Sequence, residues 1–154
     1  MQKITTAAQM RNMDRIAMHG VYAMAPAVLM ENAGHAVAER AGAWLDGWDG
    51  KDVVLFCGKG NNGGDGFVMA RVAAKEGVQV RVLLAEGEPK TADAKTNLAL
   101  LSETAAEIVC DTEQAAFGAD AVVDALYGTG FHGELRPGGA AACAPMARER
   151  ERGA

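Results

Sequence analysis

The stretch that decides the fold runs from Asp52 to Gly66 and reads DVVLFCGKGNNGGDG. Its first six residues, Asp52–Cys57, form a short apolar run rich in β-branched side chains. Such a run predicts a strand that is buried on both faces, as in a parallel sheet. The next nine residues, Gly58–Gly66, include five glycines. We predict a loop here that approaches a ligand closely and uses positive φ angles, followed by a helix that ends at Gly77.

Similar apolar runs recur along the chain and alternate with helical segments. Further strands are predicted at Val78–Ala85, Glu107–Cys110 (weakly) and Ala119–Leu126, with a helix from Ala92 to about Leu101. This alternation of strands and helices predicts a parallel α/β sheet with right-handed crossovers.

Two helices precede the first strand. Thr6 and Gln9 form a capping-box pattern at the start of the first helix, and Pro26 suits the first turn of the second, which runs to about Leu45. The fold class is therefore a three-layer α/β/α Rossmann-like parallel sheet preceded by two N-terminal helices. By helical spacing, Met10, Met13 and Met30 are predicted core residues.

The C-terminal stretch does not follow the pattern. Residues 137–154 read PGGAAACAPMARERERGA, with no strand signal and poor helical periodicity. We predict an irregular or disordered tail there, behind a partial domain at 1–136. Four strands would leave the sheet incomplete at its C-terminal end.

Composition narrows the class of protein. The chain has 154 residues, enough for one domain, and a formal charge of −5, which gives no electrostatic footprint for nucleic acid or anionic lipid. No stretch approaches the ~20 apolar residues of a membrane span. Cys57, Cys110 and Cys143 form no metal-binding pair or even disulfide framework, and the first two are predicted to be small buried residues. Reduced thiols and the lack of a signal-peptide pattern fit a cytoplasmic protein.

The glycine segment supports two interpretations. Gly58, Gly60 and Gly63 satisfy G-x-G-x-x-G, and Glu86 at the end of the second strand could bind a ribose, as in a dinucleotide-binding dehydrogenase. However, two helices precede the strand, and side-chain oxygens such as those of Asp65 suit a cation or a sugar hydroxyl better than a pyrophosphate.

A second polar loop follows the fourth apolar run. Asp124 ends that run and Gly128–Glu134 comes next. A carboxylate in this place is suited to a cation or a ligand hydroxyl; the alternative is that it caps its own loop. His132 could donate to a phosphate or a ring, or simply be solvated.

Four segments in order resemble the YjeF N-terminal domain family. They are GNNGGDG at Gly60–Gly66, TAAQMRNMDR at Thr6–Arg15, LMENAG at Leu29–Gly34 and VVDALYGTGFHGELR at Val122–Arg136. The resemblance covers Thr5 to about Arg136. It implies an NAD(P)H-hydrate epimerase, which interconverts the R and S epimers of NADHX and NADPHX in cofactor repair.

The resemblance also implies a set of site residues. The substrate would be lined by Asn61, Asn62, Gly63, Gly64, Asp65, Gly128, Thr129, Gly130, Phe131, His132, Gly133 and Glu134. One potassium ion per subunit would be bound by Asn62 and Asp124. A homodimer, and a fused or separate NAD(P)HX dehydratase, are further expectations of the resemblance.

The chain departs from the family after the second loop. The family continues to a strand that ends in an Asp-x-Pro-Ser-Gly motif, which supplies another ligand-binding Asp and another potassium ligand, and no such motif follows Arg136. This departure suggests truncation or a frame change near Arg136. The catalytic acid or base stays unassigned, because the leading candidate lies in that segment. A Rossmann oxidoreductase and a non-enzymatic nucleotide-binding or scaffold module are the alternatives.

Polar side chains also lie on two of the predicted helices. Glu31 and Asn32 lie in the LMENAG match and either approach the site or face solvent. Arg71 and Lys75 are predicted to lie on an exposed face of the helix after the glycine segment.

Overall fold

The structure is a computed structural model that describes residues 4–109, 111–112 and 118–154. Its helices and strands within these ranges, in chain order, are α1 Ala7–His19, α2 Pro26–Trp44, β1 Asp52–Cys57, α3 Asn61–Lys75, β2 Gln79–Leu84, α4 Ala92–Leu101, β3 Glu107–Val109, β4 Ala121–Ala125 and α5 Pro137–Arg152. The predicted strands are confirmed, with ends that differ by a residue or two. The predicted end of the third strand, Cys110, lies outside the described residues.

The four strands form one parallel sheet in the order β3-β2-β1-β4. Strand β1 lies inside the sheet, where Val53 pairs with Val80 of β2 and Ala121 of β4. Residues 53–57 are all fully buried, as the apolar run predicted. Two parallel neighbours and two covered faces explain why positions 53–57 of this strand are all apolar.

Helices cover both faces of the sheet. Val53, Leu55 and Cys57 of β1 pack in a cluster with side chains of α2, α3 and α4. The alternate residues Val54 and Phe56 pack in a second cluster that includes Ala142 of α5. The three-layer α/β/α architecture is therefore confirmed. Burial raises the pKa of the Cys57 thiol, which behaves as the predicted small core residue.

Helix α1 has the predicted capping box but not the predicted burial. The Thr6 hydroxyl accepts from the Gln9 amide, and the Gln9 side chain accepts from the Thr6 amide. Met10 and Met13 remain 44% and 54% exposed, so their prediction as core residues is wrong, whereas Met30 of α2 is buried. Helical spacing shows that a helix has an apolar face, but not that another element covers it.

Helix α5 occupies the stretch where an irregular tail was predicted, so that prediction is wrong. The buried positions of the helix are Gly139, Ala142, Pro145 and Glu149, at helical spacing. The buried face could not be predicted from the sequence, because its residues are two small ones, a proline and a glutamate rather than large apolar side chains. Gly153 ends the helix in the left-handed conformation.

The carboxylate of Glu149 anchors the far end of α5. It is 3% exposed and its Oε2 accepts from the backbone amides of Gly118 and Ala119, at 3.1 and 3.2 Å. These residues lead into β4, so the helix is tied to the sheet at that point. No helix in the described ranges is long and apolar enough to cross a membrane.

We expect Glu149→Ala to lower the free energy of unfolding by about 2 kcal/mol, because two backbone amides lose a charged acceptor whose side chain is buried. Glu151→Ala, at an exposed position of the same helix, should change it by less than about 0.5 kcal/mol. Denaturant unfolding of both variants measures the difference. Equal values would show that the Glu149 carboxylate does not stabilise the domain.

Candidate functional site

The candidate site lies at the carboxyl edge of the sheet, where the ends of β1 and β4 meet the start of α3. The Gly58 amide donates to the Ala125 carbonyl at 3.0 Å, which continues the pairing of the two strands beyond their last residues. A methyl group built on Gly58 would lie 2.0 Å from the Leu126 carbonyl oxygen, and one on Gly63 would lie 1.9 Å from the Gly58 carbonyl oxygen. The loop after β1, the loop after β4 and the start of α3 therefore contact one another through their backbones. These contacts leave no room for a side chain at Gly58 or Gly63.

The predicted glycine loop is mostly helix. Helix α3 begins at Asn61, so only the residues from Gly58 to Gly60 connect it to β1. None of the segment's five glycines has a positive φ angle, and this part of the prediction is wrong. Instead the helical glycines permit close packing. A methyl group on Gly64 would lie 2.6 Å from the Met30 side chain, and one on Gly66 would lie 2.8 Å from the Cys57 sulfur.

The first turn of α3 points its amides at the carboxyl edge. Gly60 is the N-cap in an extended conformation, and no side chain in the described part of the chain caps the helix. The first amides of a helix have no partner inside the helix, and together with its dipole they favour an anion. Asn61 is exposed and Asn62 is half-buried at this end of the helix.

The structure brings parts of the two predicted segments together. A methyl group built on Gly128 would lie 3.4 Å from the Asn62 Cβ and 3.5 Å from its Oδ1. Gly128 is therefore in near contact with the first turn of α3. The two segments predicted from separate motifs form one continuous surface.

Asp124 reaches this edge from the other face of the sheet. Its neighbours Val123 and Ala125 pack on the α3 side, so strand alternation directs Asp124 toward the α5 side. The side chain is exposed, and its Oδ1 accepts from the Leu126 amide at 3.0 Å. Asp124 thus caps the start of its own loop, one of the two roles considered for it, and retains a second carboxylate oxygen beyond that bond.

The two residues predicted to hold potassium both belong to this edge, Asn62 in the first turn of α3 and Asp124 near the end of β4. Neutral oxygens with one carboxylate suit a weakly binding hard cation. Among the described residues no three His, Cys, Asp or Glu side chains group in a way that could hold a metal ion.

The second loop is exposed but held at several points. The Phe131 amide donates to the Gly128 carbonyl at 3.0 Å, and Gly133 has a φ of +91° that favours glycine. Thr129, His132 and Glu134 are exposed. A side chain from α1 also contacts the loop, because Arg11 Nη1 donates to the Thr129 carbonyl at 3.2 Å. Sequence reasoning missed Arg11, since nothing in its local pattern indicates a partner so distant in the chain.

Glu86, Tyr127 and Arg136 form a polar group beside the loop, which we name the Glu86 cluster. Tyr127 donates its hydroxyl to Glu86 Oε1 at 2.7 Å, and Arg136 donates to Glu86 Oε2 at 2.5 Å. The Glu86 side chain is 2% exposed. A ribose-binding acid needs a carboxylate that is open to the ligand, so this arrangement disfavours the dehydrogenase interpretation of Glu86.

Asp65, the acidic residue of the glycine segment, has a raised pKa. Partial burial, and then the negative charge of Asp14 on α1, raise the pKa of Asp65 to about 6. A carboxyl group with such a pKa changes charge near neutral pH. The proximity of Asp14 was missed by sequence reasoning, because α1 and α3 are far apart along the chain.

Glu31 and Gly34 of the LMENAG segment contact neighbouring helices, whereas Asn32 is exposed. Glu31 of α2 accepts from Arg71 of α3 at 2.5 Å and contacts His35 at 3.1 Å. The Arg71 side chain is 11% exposed, so the prediction that it lies on an exposed face is wrong. Gly34 packs on α3 as well, since a methyl group there would lie 2.4 Å from Val68.

A parallel sheet with helices on both faces, and with an uncapped helix N-terminus at its carboxyl edge, defines an α/β domain of the Rossmann-like class. The family model described as YjeF-related protein N-terminus matches residues 26–150, which include both loops and most of α5. The chain belongs to this family.

Named relatives and a solved structure agree with this assignment. The NAD(P)H-hydrate epimerase of Nitrosopumilus maritimus is 39% identical over 113 residues, which cover 70% of this chain and 52% of the relative. The bifunctional NAD(P)H-hydrate repair enzyme Nnr of Moorella thermoacetica is 40% identical over 140 residues, or 84% of this chain and 26% of the relative. The chain thus spans about half of the first relative and about a quarter of the second.

The fold is similar to that of a yeast protein, YNL200c, in its crystal structure. The two structures superpose with a TM-score of 0.86 at 22% sequence identity, over 97% of this chain and 67% of the yeast chain. This similarity confirms the architecture of the described sheet and its helices.

We expect Gly63→Ala to lower the free energy of unfolding by about 2 kcal/mol. Alanine favours a helix over glycine by about 1 kcal/mol, but overpacking costs about 1–3 kcal/mol, and here the atom in contact is a backbone oxygen that cannot rotate away. Gly130→Ala is the control, because a methyl group there meets no atom of the described residues within 4 Å. Urea unfolding measures both, and a Gly63→Ala protein as stable as the parent would refute the close approach.

We expect the Asp65 carboxyl carbon to titrate in NMR spectra with a midpoint of about 6, so that Asp65 is mostly neutral at pH 5 and mostly ionised at pH 7. Asp14→Asn removes a like charge and should lower this midpoint. Asp49→Asn, in the exposed turn before β1, should leave it unchanged. An unchanged midpoint in Asp14→Asn would mean that burial alone perturbs Asp65.

Proposed function

We propose that this chain is an NAD(P)H-hydrate epimerase that interconverts the R and S epimers of NADHX and NADPHX. The observation that carries the proposal is the contact between the first turn of α3 and Gly128, which joins two polar segments into one surface at the carboxyl edge. Membership of the YjeF-related N-terminal family supports it, as does the likeness to a relative named as this epimerase.

The uncapped start of α3 suits the negative charge of the proposed substrate. NADHX and NADPHX carry a pyrophosphate, and the uncapped start of α3 offers amides and a positive dipole end for such a group. The residues from Asn61 to Asp65 would line one side and those from Gly128 to Glu134 the other. Within the second segment, Phe131 supplies an aromatic face, and the exposed His132 a ring that can donate a hydrogen bond.

A potassium ion, one per subunit, is the cofactor that we propose for the same surface. Asn62 and Asp124 would hold it through an amide oxygen and a carboxylate, and the ion would supply positive charge beside the substrate. Asp124 already accepts from the Leu126 amide, which orients the carboxylate. The chain's own residues then bind and orient the nucleotide around the hydrated carbon of its ring.

Inversion at the hydrated carbon also needs a proton donor or acceptor near that carbon. We assign binding and orientation to the two segments and leave this role unassigned. We further propose that the chain acts in the cytoplasm as a homodimer, and that the S epimer passes to a dehydratase, fused or separate. The relative from Moorella thermoacetica is itself named a bifunctional repair enzyme.

We expect the purified chain to speed the equilibration of R- and S-NADHX over buffer, and to do so faster in potassium than in sodium. Asp124→Asn removes the anionic oxygen proposed for the ion, and should lower the rate in potassium roughly tenfold, because a charged ligand contact contributes about 1.5–3 kcal/mol. Chromatography of the two epimers over time measures the rate.

Asp49→Asn is the matched control, because it removes the same charge at the opposite edge of the sheet. Calorimetric titration with NADPHX, NADPH and ADP-ribose separates the alternatives. Binding of nucleotide without turnover would indicate a non-enzymatic module, and hydride transfer from NADPH would indicate an oxidoreductase. A folded sample without acceleration in either salt would contradict the epimerase proposal.

A further inference from the structure

The ends of the second loop are joined to each other through the Glu86 cluster. The Arg136 amide donates to the Tyr127 hydroxyl at 3.3 Å, and the same hydroxyl donates to Glu86 Oε1 at 2.7 Å. Arg136 also donates to the second oxygen of Glu86, and its guanidinium lies 5.3 Å from the centre of the Tyr127 ring. One buried carboxylate therefore fixes both residues that flank the segment from Gly128 to Leu135.

An aromatic stack extends this restraint into the middle of the loop. The rings of Tyr127 and Phe131 lie 4.2 Å apart between centres, with 27° between their planes. Phe131 is in turn bonded through its amide to the Gly128 carbonyl. The position of the Tyr127 ring thus determines where Phe131 lies, and the Tyr127 hydroxyl determines where that ring lies.

The start of α5 packs closely against the Glu86 cluster. A methyl group on Gly139 would lie 2.2 Å from the Tyr127 hydroxyl oxygen, and one on Gly138 would lie 1.9 Å from the Ala85 carbonyl oxygen. The helix can approach only because both positions are glycine. This packing confines the Tyr127 hydroxyl between Glu86 and the helix backbone, so the hydroxyl has little freedom to leave its acceptor.

The protonation states agree with this geometry. Burial and the hydrogen bond to Glu86 raise the pKa of Tyr127, so the phenol stays protonated and can donate at neutral pH. Arginine is always charged. Glu86 therefore accepts from one neutral and one cationic donor, and a hydrogen bond to a charged group is stronger than one between neutral groups.

We propose that Glu86 is a positioning residue, which through Tyr127 and Arg136 holds the loop from Gly128 to Glu134 in its ligand-binding conformation. This inference rests on the proposed function, because it takes that loop to be part of the substrate site. Glu86 itself does not contact the substrate. Its position at the end of β2 is where a dinucleotide-binding enzyme would place a ribose ligand, but here the carboxylate orients protein instead.

Tyr127→Phe tests the proposal, because it keeps the ring that stacks on Phe131 and removes only the hydroxyl. We expect the KM for NADHX to rise roughly tenfold, the usual effect of losing a hydrogen bond to a charged group, while kcat changes by less than about threefold. Hydrogen exchange at the Phe131 amide should speed up by roughly the same tenfold, since the loop opens more readily.

Glu86→Gln is the second variant, because it keeps the size of the side chain and an acceptor for Tyr127 but loses the ion pair with Arg136. Its effects on Phe131 exchange and on KM should be smaller, and those of the double variant should be non-additive. Tyr22→Phe is the control, since its side chain is 81% exposed between α1 and α2, and thermal unfolding confirms that each variant is folded.

The outcomes separate the inference from the proposed function. Unchanged Phe131 exchange in Tyr127→Phe would overturn the inference, as would faster exchange with an unchanged KM, because the loop would then not serve the substrate. A parent chain that neither binds nor epimerises NADHX would overturn the proposed function. In that case the exchange rates alone would decide whether Glu86 restrains the loop.

Discussion

The site depends on one steric constraint, the backbone contact among Gly58, Gly63 and Leu126. The Gly58 position lies against the Leu126 carbonyl, and Gly63 lies against the Gly58 carbonyl, with no room for a methyl group at either glycine. This constraint seats the first turn of α3 directly on the ends of β1 and β4. Without it the helix would stand away from the sheet, and its free amides would not share an edge with the second loop.

The second loop obtains its conformation from elements on both sides of the sheet. Arg11 reaches it from α1, while Tyr127 and Arg136 bind Glu86 at the end of β2, and Gly139 of α5 packs against the Tyr127 hydroxyl. A loop with few regular hydrogen bonds of its own can hold a ligand only if its surroundings restrict it. Here the restriction comes from three separate parts of the chain.

Much of the fold could be predicted because its signals are local. Each buried strand shows as an apolar run, and Thr6 with Gln9 marks the start of α1. The glycine segment was correctly placed at the carboxyl edge, although its glycines serve helix–sheet packing rather than positive φ angles. Helix α5 could not be predicted in the same way, because its buried face consists of small residues and Glu149. The roles of Asn62 and Asp124 in ion binding remain predictions.

The sequence by itself determined the parallel sheet, the burial of β1, and the two polar segments that follow β1 and β4. Only the tertiary structure decided which partners their side chains have. Arg11 and Thr129 are 118 residues apart in the chain, and Glu86 and Arg136 are 50 apart. It also decided that Met10 and Met13 stay exposed. Periodicity reports the preference of a residue for a face, whereas a contact requires that another element arrive at that face.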